Sequence, residues 1–260
     1  MAAQNSFTID IKISSDTENA KAVTDTLLLA LDDGDNMLPY LDRVAKMFPE
    51  IRSLVSAEMG RGDILPVVTE LIRNKKLADR RRIEEQAAHF RELAQGPLSK
   101  AVSEMLGMFQ LDYSAPCRFT CWLGLYNPFP RSVLKKEYCL HYDISDTVFL
   151  RASLHEINHM ALFDKWCSMQ KIQLENEPEY PDILWYLEEL AVAPTLNDPR
   201  IQRIVPVPHS PYRSMEEILI DGVSLPECVR KIYERESDMS GFLREAYSFL
   251  NENKKALIST

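Results

Sequence analysis

Apolar and polar residues change period along this chain, and the changes divide it. Phe7, Ile9, Ile11 and Ile13 alternate with Thr8, Asp10 and Lys12, the two-residue period of a strand with one buried face. From Asp16 to about Gly107 the apolar positions fall three and four apart instead: Leu27, Leu28 and Leu31, then Ile51, Leu54 and Val55, then Val67, Val68, Leu71 and Ile72. That spacing lines one face of a helix and predicts several helices. Asp32-Asp33-Gly34-Asp35, Gly60-Arg61-Gly62-Asp63 and Gly96-Pro97 read as breaks between them. Arg118 to Tyr126 and Tyr138 to Tyr142, rich in aromatic and apolar residues, predict two more strands joined by a hairpin-like connection through Asn127-Pro128-Phe129-Pro130. Helical spacing returns over about 146–168, 181–193, 225–237 and 240–256, with Pro178, Pro181, Pro194, Pro199, Pro206, Pro208 and Pro211 punctuating the links.

These elements predict an α+β fold that is mostly α. A mainly helical region with a small sheet (strands near 7–13, 118–126 and 138–142) spans 1–143, and a helical region spans 144–260, together one compact unit. The 45% hydrophobic and 27% charged residues suit a globular protein that buries a core. A formal net charge of −9 speaks against nucleic acid and anionic membranes as partners. The basic run Lys75-Lys76 with Arg80, Arg81 and Arg82 is interleaved with Asp79, Glu84 and Glu85, as on a solvated helix face. Met1-Ala2-Ala3-Gln4-Asn5 lacks a positive charge followed by an apolar run, and nowhere do eighteen apolar residues follow one another. Neither export nor membrane spanning is expected. Cys117, Cys121, Cys139, Cys167 and Cys228 are odd in number and show no Cys-x-x-Cys spacing, so they are read as reduced and the location as cytoplasmic.

The candidate chemistry lies in His155-Glu156-Ile157-Asn158-His159. Histidines at i and i+4 stand one turn apart on one helix face, so both imidazoles can reach a single zinc ion. Glu156, about 100° round the helix, is placed to act as general base on a zinc-bound water. Leu150, Leu154, Ile157 and Ala161 form one apolar stripe, and Val148, Ala152, Leu162 and Trp166 make the histidine face apolar too. Such a helix is buried nearly all round, where two imidazoles and a carboxylate need a partner. The plainer reading makes both histidines hydrogen-bonded core residues. A third protein ligand must come from elsewhere: the sixth residue after His159 is Lys165, Leu162 stands where a metzincin has glycine, and Asp164 falls on the wrong side. The best source is the helix predicted over 184–193, where Glu188 and Glu189 sit among apolar residues.

His155 to His159 together with this second helix resemble the gluzincins, the thermolysin-like and aminopeptidase-like zincins in which a glutamate on a second helix completes the site. The resemblance implies a small sheet over the active-site helix, a Zn2+ cofactor held by His155, His159 and a glutamate, and hydrolysis of peptide bonds. Glu189 is preferred because Trp185, Tyr186, Val192 and Ala193 could enclose it. Glu188 is the alternative, since Trp185 and Ala191 flank it in the Trp-x-x-Glu-x-x-Ala pattern of some aminopeptidase-like members. The acid that thermolysin-like members carry four residues after the ligand is replaced by Val192 or Ala193, so the histidines need another orienting group.

Acyl transfer needs an oxyanion donor, and His209 or Tyr212, in the Pro-rich segment after the ligand helix, could supply it. The plainer reading of His209 is an exposed loop histidine. His141, on a strand, and His89, on a charged helix, are given no role. If the fold is zincin-like, one of the two strands at 118–126 and 138–142 forms the sheet edge on which an extended peptide pairs. The resulting expectation is a zinc metallopeptidase acting on a peptide or protein. The alternative is a catalytically weak zincin-fold protein with a structural or regulatory zinc site and a helical interaction surface, and behind that a helical interaction protein without metal.

Overall fold

The alternating segment at the start forms strand β1 (Phe7–Ile13), with Ile11 buried, Ile9 and Ile13 packed against the core and Thr8 exposed. A computed structural model describes residues 7–28, 40–113, 116–126 and 131–258. Leu31 and the expected breaks at 32–35 and 127–130 lie outside the described residues. After β1 the chain enters α1 (Asp16–Leu28), then short α2 (Leu41–Ala45) and α3 (Ile51–Leu54), and then α4 (Arg61–Leu93). The expected break at Gly60 to Asp63 coincides with the start of α4 after α3: the Asp63 carboxylate accepts the Gly60 N–H at 3.1 Å, satisfying a donor the first turn leaves open. At Gly96-Pro97 the expected break is present as a kink between two helices, where Gly96 leaves helical angles at φ −99° and ψ −106°. Pro97 has no N–H for the regular ladder, and a wider π-type turn over Ala94–Leu98 carries the chain into α5 (Ser99–Met108).

The sheet contains β2 (Cys117–Gly124), β3 (Arg131–Ser132) and β4 (Glu137–His141), in the order β1-β2-β4-β3. β1, β2 and β4 run parallel, so the hairpin expected between the strands at 118–126 and 138–142 is not formed. The hairpin is instead made by β3 with β4, Arg131 opposite Tyr138 and Ser132 opposite Glu137. Its reversal ends at Lys136 in the left-handed region. β2 is nearly continuously buried, as a central parallel strand requires. Both strands proposed as the sheet edge are therefore interior, and the edges are β1 and β3.

α6 (Asp146–Gln170) follows β4. Ser145 caps its start through a 3.3 Å hydrogen bond from the Val148 N–H, and Lys171, left-handed at φ 56°, ends it. α7 (Ile183–Leu196) is capped by Asp182, which accepts from the Leu184 N–H at 2.6 Å. Beyond come α8 (Pro199–Gln202), α9 (Arg213–Glu216), a two-residue hairpin of β5 (Leu219–Ile220) and β6 (Val223–Ser224), α10 (Leu225–Arg235), α11 (Met239–Glu252) and α12 (Lys254–Ile258). The helix expected over 240–256 is thus split at Asn253. α6 packs between α7 on one side and α4, α5 and β4 on the other. One hydrophobic core draws residues from both halves of the chain. The basic run at 75–82 is spanned by ion pairs Lys75–Asp79, Arg80–Glu84 and Arg81–Glu85 along α4, as a solvated face should be. Among the described residues no helix is long and apolar enough to cross a membrane.

Candidate metal centre

Two faces of α6 are apolar, and the consequence is visible in its burial: from Ser153 to Phe163 every residue except His155 is buried. His155 keeps 23% of its side chain exposed, whereas His159 is fully enclosed. The rings stand one turn apart with centroids 4.7 Å from each other. α7 lies against them and is itself buried along nearly its whole length, since its apolar residues run round every side.

The two adjacent acids of α7 go to opposite nitrogens of one ring. Glu189 Oε2 stands 3.7 Å from His159 Nε2 and 3.7 Å from His155 Nε2. Glu188 Oε2 stands 3.3 Å from His159 Nδ1. His155, His159 and Glu189 offer ligand atoms within 4.8 Å of one another, the one such group among the described residues. Tetrahedral zinc holds nitrogen and oxygen at about 2.0–2.2 Å, which sets ligand atoms roughly 3.4 Å apart, and the two Glu189–imidazole separations of 3.7 Å lie within a few tenths of an ångström of that.

Arg131, at the sheet edge in β3, completes the cluster. Its Nη2 donates to Glu188 Oε1 at 2.5 Å, and its Nη1 lies 3.5 Å from Glu189 Oε1 and 4.0 Å from Glu156 Oε2. Nothing local in the sequence sets Arg131 apart from Arg118, which is exposed and pairs with Asp10. The contact crosses 57 residues of chain.

Burial governs the electrostatics. It drives His155 down to about 3, with His209, Arg131 and Arg151 adding, and drives His159 well below its ordinary value. Both rings are neutral near pH 7 and keep a lone pair for a metal. Burial raises Glu156 to about 7 and Glu188 to about 9; in each case Arg131 opposes the rise and neighbouring carboxylates add to it. Glu189 is raised by burial against the pull of Arg131. Burial alone would lower Arg131, but Glu188, Glu189 and Glu156 outweigh it and hold the guanidinium charged. Among the described residues, several buried side-chain atoms without a hydrogen bond belong to this cluster: Glu156 Oε2, both nitrogens of His159, Glu188 Oε2, Glu189 Oε2 and Arg131 Nε. Of these, His159 Nε2 and Glu189 Oε2 face each other and His155 Nε2, where a cation would satisfy them.

His209 is buried, not exposed as its plainer reading had it, and its ring centroid is 6.5 Å from that of His155. Asn197 clamps its backbone with bonds of 2.8 and 2.9 Å, and its Nε2 faces the Arg151 carbonyl at 3.2 Å. Tyr212 is half exposed, and burial of its hydroxyl together with Glu189 and Glu156 raises it to about 12. Asp164 is drawn away from the histidines, taking hydrogen bonds from Tyr113 and Lys136 at 2.5 Å each. His141 accepts the Asp143 N–H and His89 pairs with Asp146, both apart from the cluster. No protein-family model, curated protein or solved structure matches the chain.

Proposed function

We propose that this chain is a zinc-dependent, zincin-like metallopeptidase with His155, His159 and Glu189 as ligands and Glu156 as general base. The observation that carries the reading is the convergence of two neutral imidazoles and a carboxylate, their acceptor atoms facing each other with no donor between them. A small mixed sheet preceding the two ligand helices, with its antiparallel edge strand β3 reaching the centre, agrees with the zincin plan and with pairing of an extended peptide along that edge.

Three ligands and an exposed flank at His155 favour a catalytic over a structural site, since structural zinc is closed by four protein ligands. A bound zinc ion would supply Lewis acidity, activating a water and polarising a carbonyl. Glu156 Oε2, held near neutral pKa by burial, takes the proton of the attacking water and returns it to the leaving nitrogen. Tyr212 serves as oxyanion donor: its hydroxyl stays protonated and lies in the field of the site carboxylates. His209 suits the role less. If its Nε2–H donates to the Arg151 carbonyl, Nδ1 of the neutral ring is an acceptor, and burial disfavours the imidazolium.

The test is digestion of a peptide library by zinc-loaded wild type and Glu156→Gln, with chelator controls and zinc analysis of both. The expected result is about one zinc per chain in each and cleavage by the wild type alone. Cleavage that survives Glu156→Gln refutes the mechanism, and a zinc-replete wild type inert toward every peptide refutes the peptidase reading.

A further inference from the structure

The metal centre has a supporting layer that the ligand motif does not contain. His159 is fully enclosed, so its ring angle and its tautomer must be set by protein groups. Nε2 is turned toward Glu189 and His155, so for it to keep a lone pair for a metal the proton has to sit on Nδ1, and the group beside Nδ1 is Glu188 at 3.3 Å. The pair lies off the line of a hydrogen bond, and a small rotation of the imidazole aligns it. Glu188 in turn is held from the sheet, by Arg131 Nη2 at 2.5 Å, while Nη1 of the same guanidinium stands 3.5 Å from the outer oxygen of Glu189. One planar fork thus reaches both carboxylates of α7, which a lysine ammonium on its single point cannot span in the same way.

We infer that Glu188 and Arg131 are positioning residues for the metal centre: Glu188 fixes the tautomer and angle of His159 through Nδ1, and Arg131 fixes both glutamates from the edge strand. The inference rests on the reading of His155, His159 and Glu189 as ligands. It also explains how the site does without the acid one turn beyond the ligand: the orienting carboxylate is supplied by the residue just before it. A purely structural ion pair would predict something different. Removing one partner of a buried pair leaves the other charge uncompensated and costs stability, so a purely structural pair should register in folding alone and leave the ligand geometry untouched.

Two measurements separate these outcomes. In the metal-free protein, long-range proton–nitrogen NMR of the His159 ring is expected to show the Nδ1–H tautomer in the wild type and a mixture in Glu188→Met, which removes the acceptor at similar volume. Zinc affinity by competition with a chromophoric chelator is expected to fall about ten- to a hundredfold in Glu188→Gln and in Arg131→Met. Arg131→Lys should recover part of the loss. Cobalt(II) loading of the same variants should shift the visible bands that report ligand geometry, and Leu187→Ala, a buried neighbour in α7, should lower stability without that shift. An Nδ1–H tautomer unchanged in Glu188→Met, or variants that bind zinc as tightly as the wild type with the same cobalt spectrum, overturns the inference. A wild type that takes up no zinc overturns the ligand assignment, while the tautomer measurement still decides whether Glu188 orients His159.

Discussion

Single residues differ in how far their role can be read from their neighbours in sequence. His155, Glu156 and His159 are legible because a four-residue step on a helix fixes which side chains share a face. Glu188 and Glu189 are not separable that way: both are buried on α7, and only the nitrogens of His159, brought in by another helix, distinguish them. Replacing Tyr212 by Phe is expected to lower turnover about a hundredfold to a thousandfold with little change in zinc content, as loss of an oxyanion donor does, measured by kcat on a cleaved peptide. Asp198 offers a test away from the centre. The Arg200 side chain holds it down to about 2 from an ordinary 3.8, against the effect of burial, and Tyr233 donates to it at 2.9 Å. Because its folded value is depressed, its contribution is full above about pH 4 and drains as pH falls through 2. Asp198→Asn should therefore remove on the order of 1 kcal/mol near neutral pH, after allowance for solvent screening, and nothing in strong acid, as read from urea unfolding at a series of pH values.

Among the elements, the strands and the long helices follow from periodicity, and the connections do not. β2 and β4 were legible as strands, but two buried apolar segments can pair either way. What decides between them is β3, only two residues long and so below any periodic signal. α4 starts at its expected boundary because Gly60 takes the N-cap position and Asp63 satisfies its N–H. The approach of α1 to the end of β2 depends on one close contact. A Cβ on Gly124 would stand 2.6 Å from Asn19 Oδ1, the atom that accepts the Leu125 N–H at 2.8 Å. Asn19 is itself held by donating to the Ser15 carbonyl at 2.8 Å, so it cannot retreat without losing both bonds. Gly124→Ala is expected to cost about 1–3 kcal/mol in denaturant unfolding, with the zinc affinity of the folded protein unchanged.

For the molecule as a whole, zinc is expected to act as a stabilising ligand. At a hundred times its dissociation constant a ligand adds about 2.7 kcal/mol, which for a chain of this size raises the unfolding temperature by roughly 5–10 °C. Differential scanning calorimetry should show that rise reversed by a chelator and missing in a His155→Ala/His159→Ala double variant. The candidate centre brings distant parts of the chain together: its proposed ligands come from two neighbouring helices, whereas Arg131 reaches Glu188 across 57 residues from the sheet edge. Ion retention should then depend on the tertiary closure of the β3–β4 ribbon onto α7. Momentary detachment of the ribbon would open the cage, and the rate at which the protein surrenders its ion would match the rate at which β4 amides trade hydrogen for deuterium. Zinc should slow that exchange, and Arg131→Met should restore it even with the ion bound.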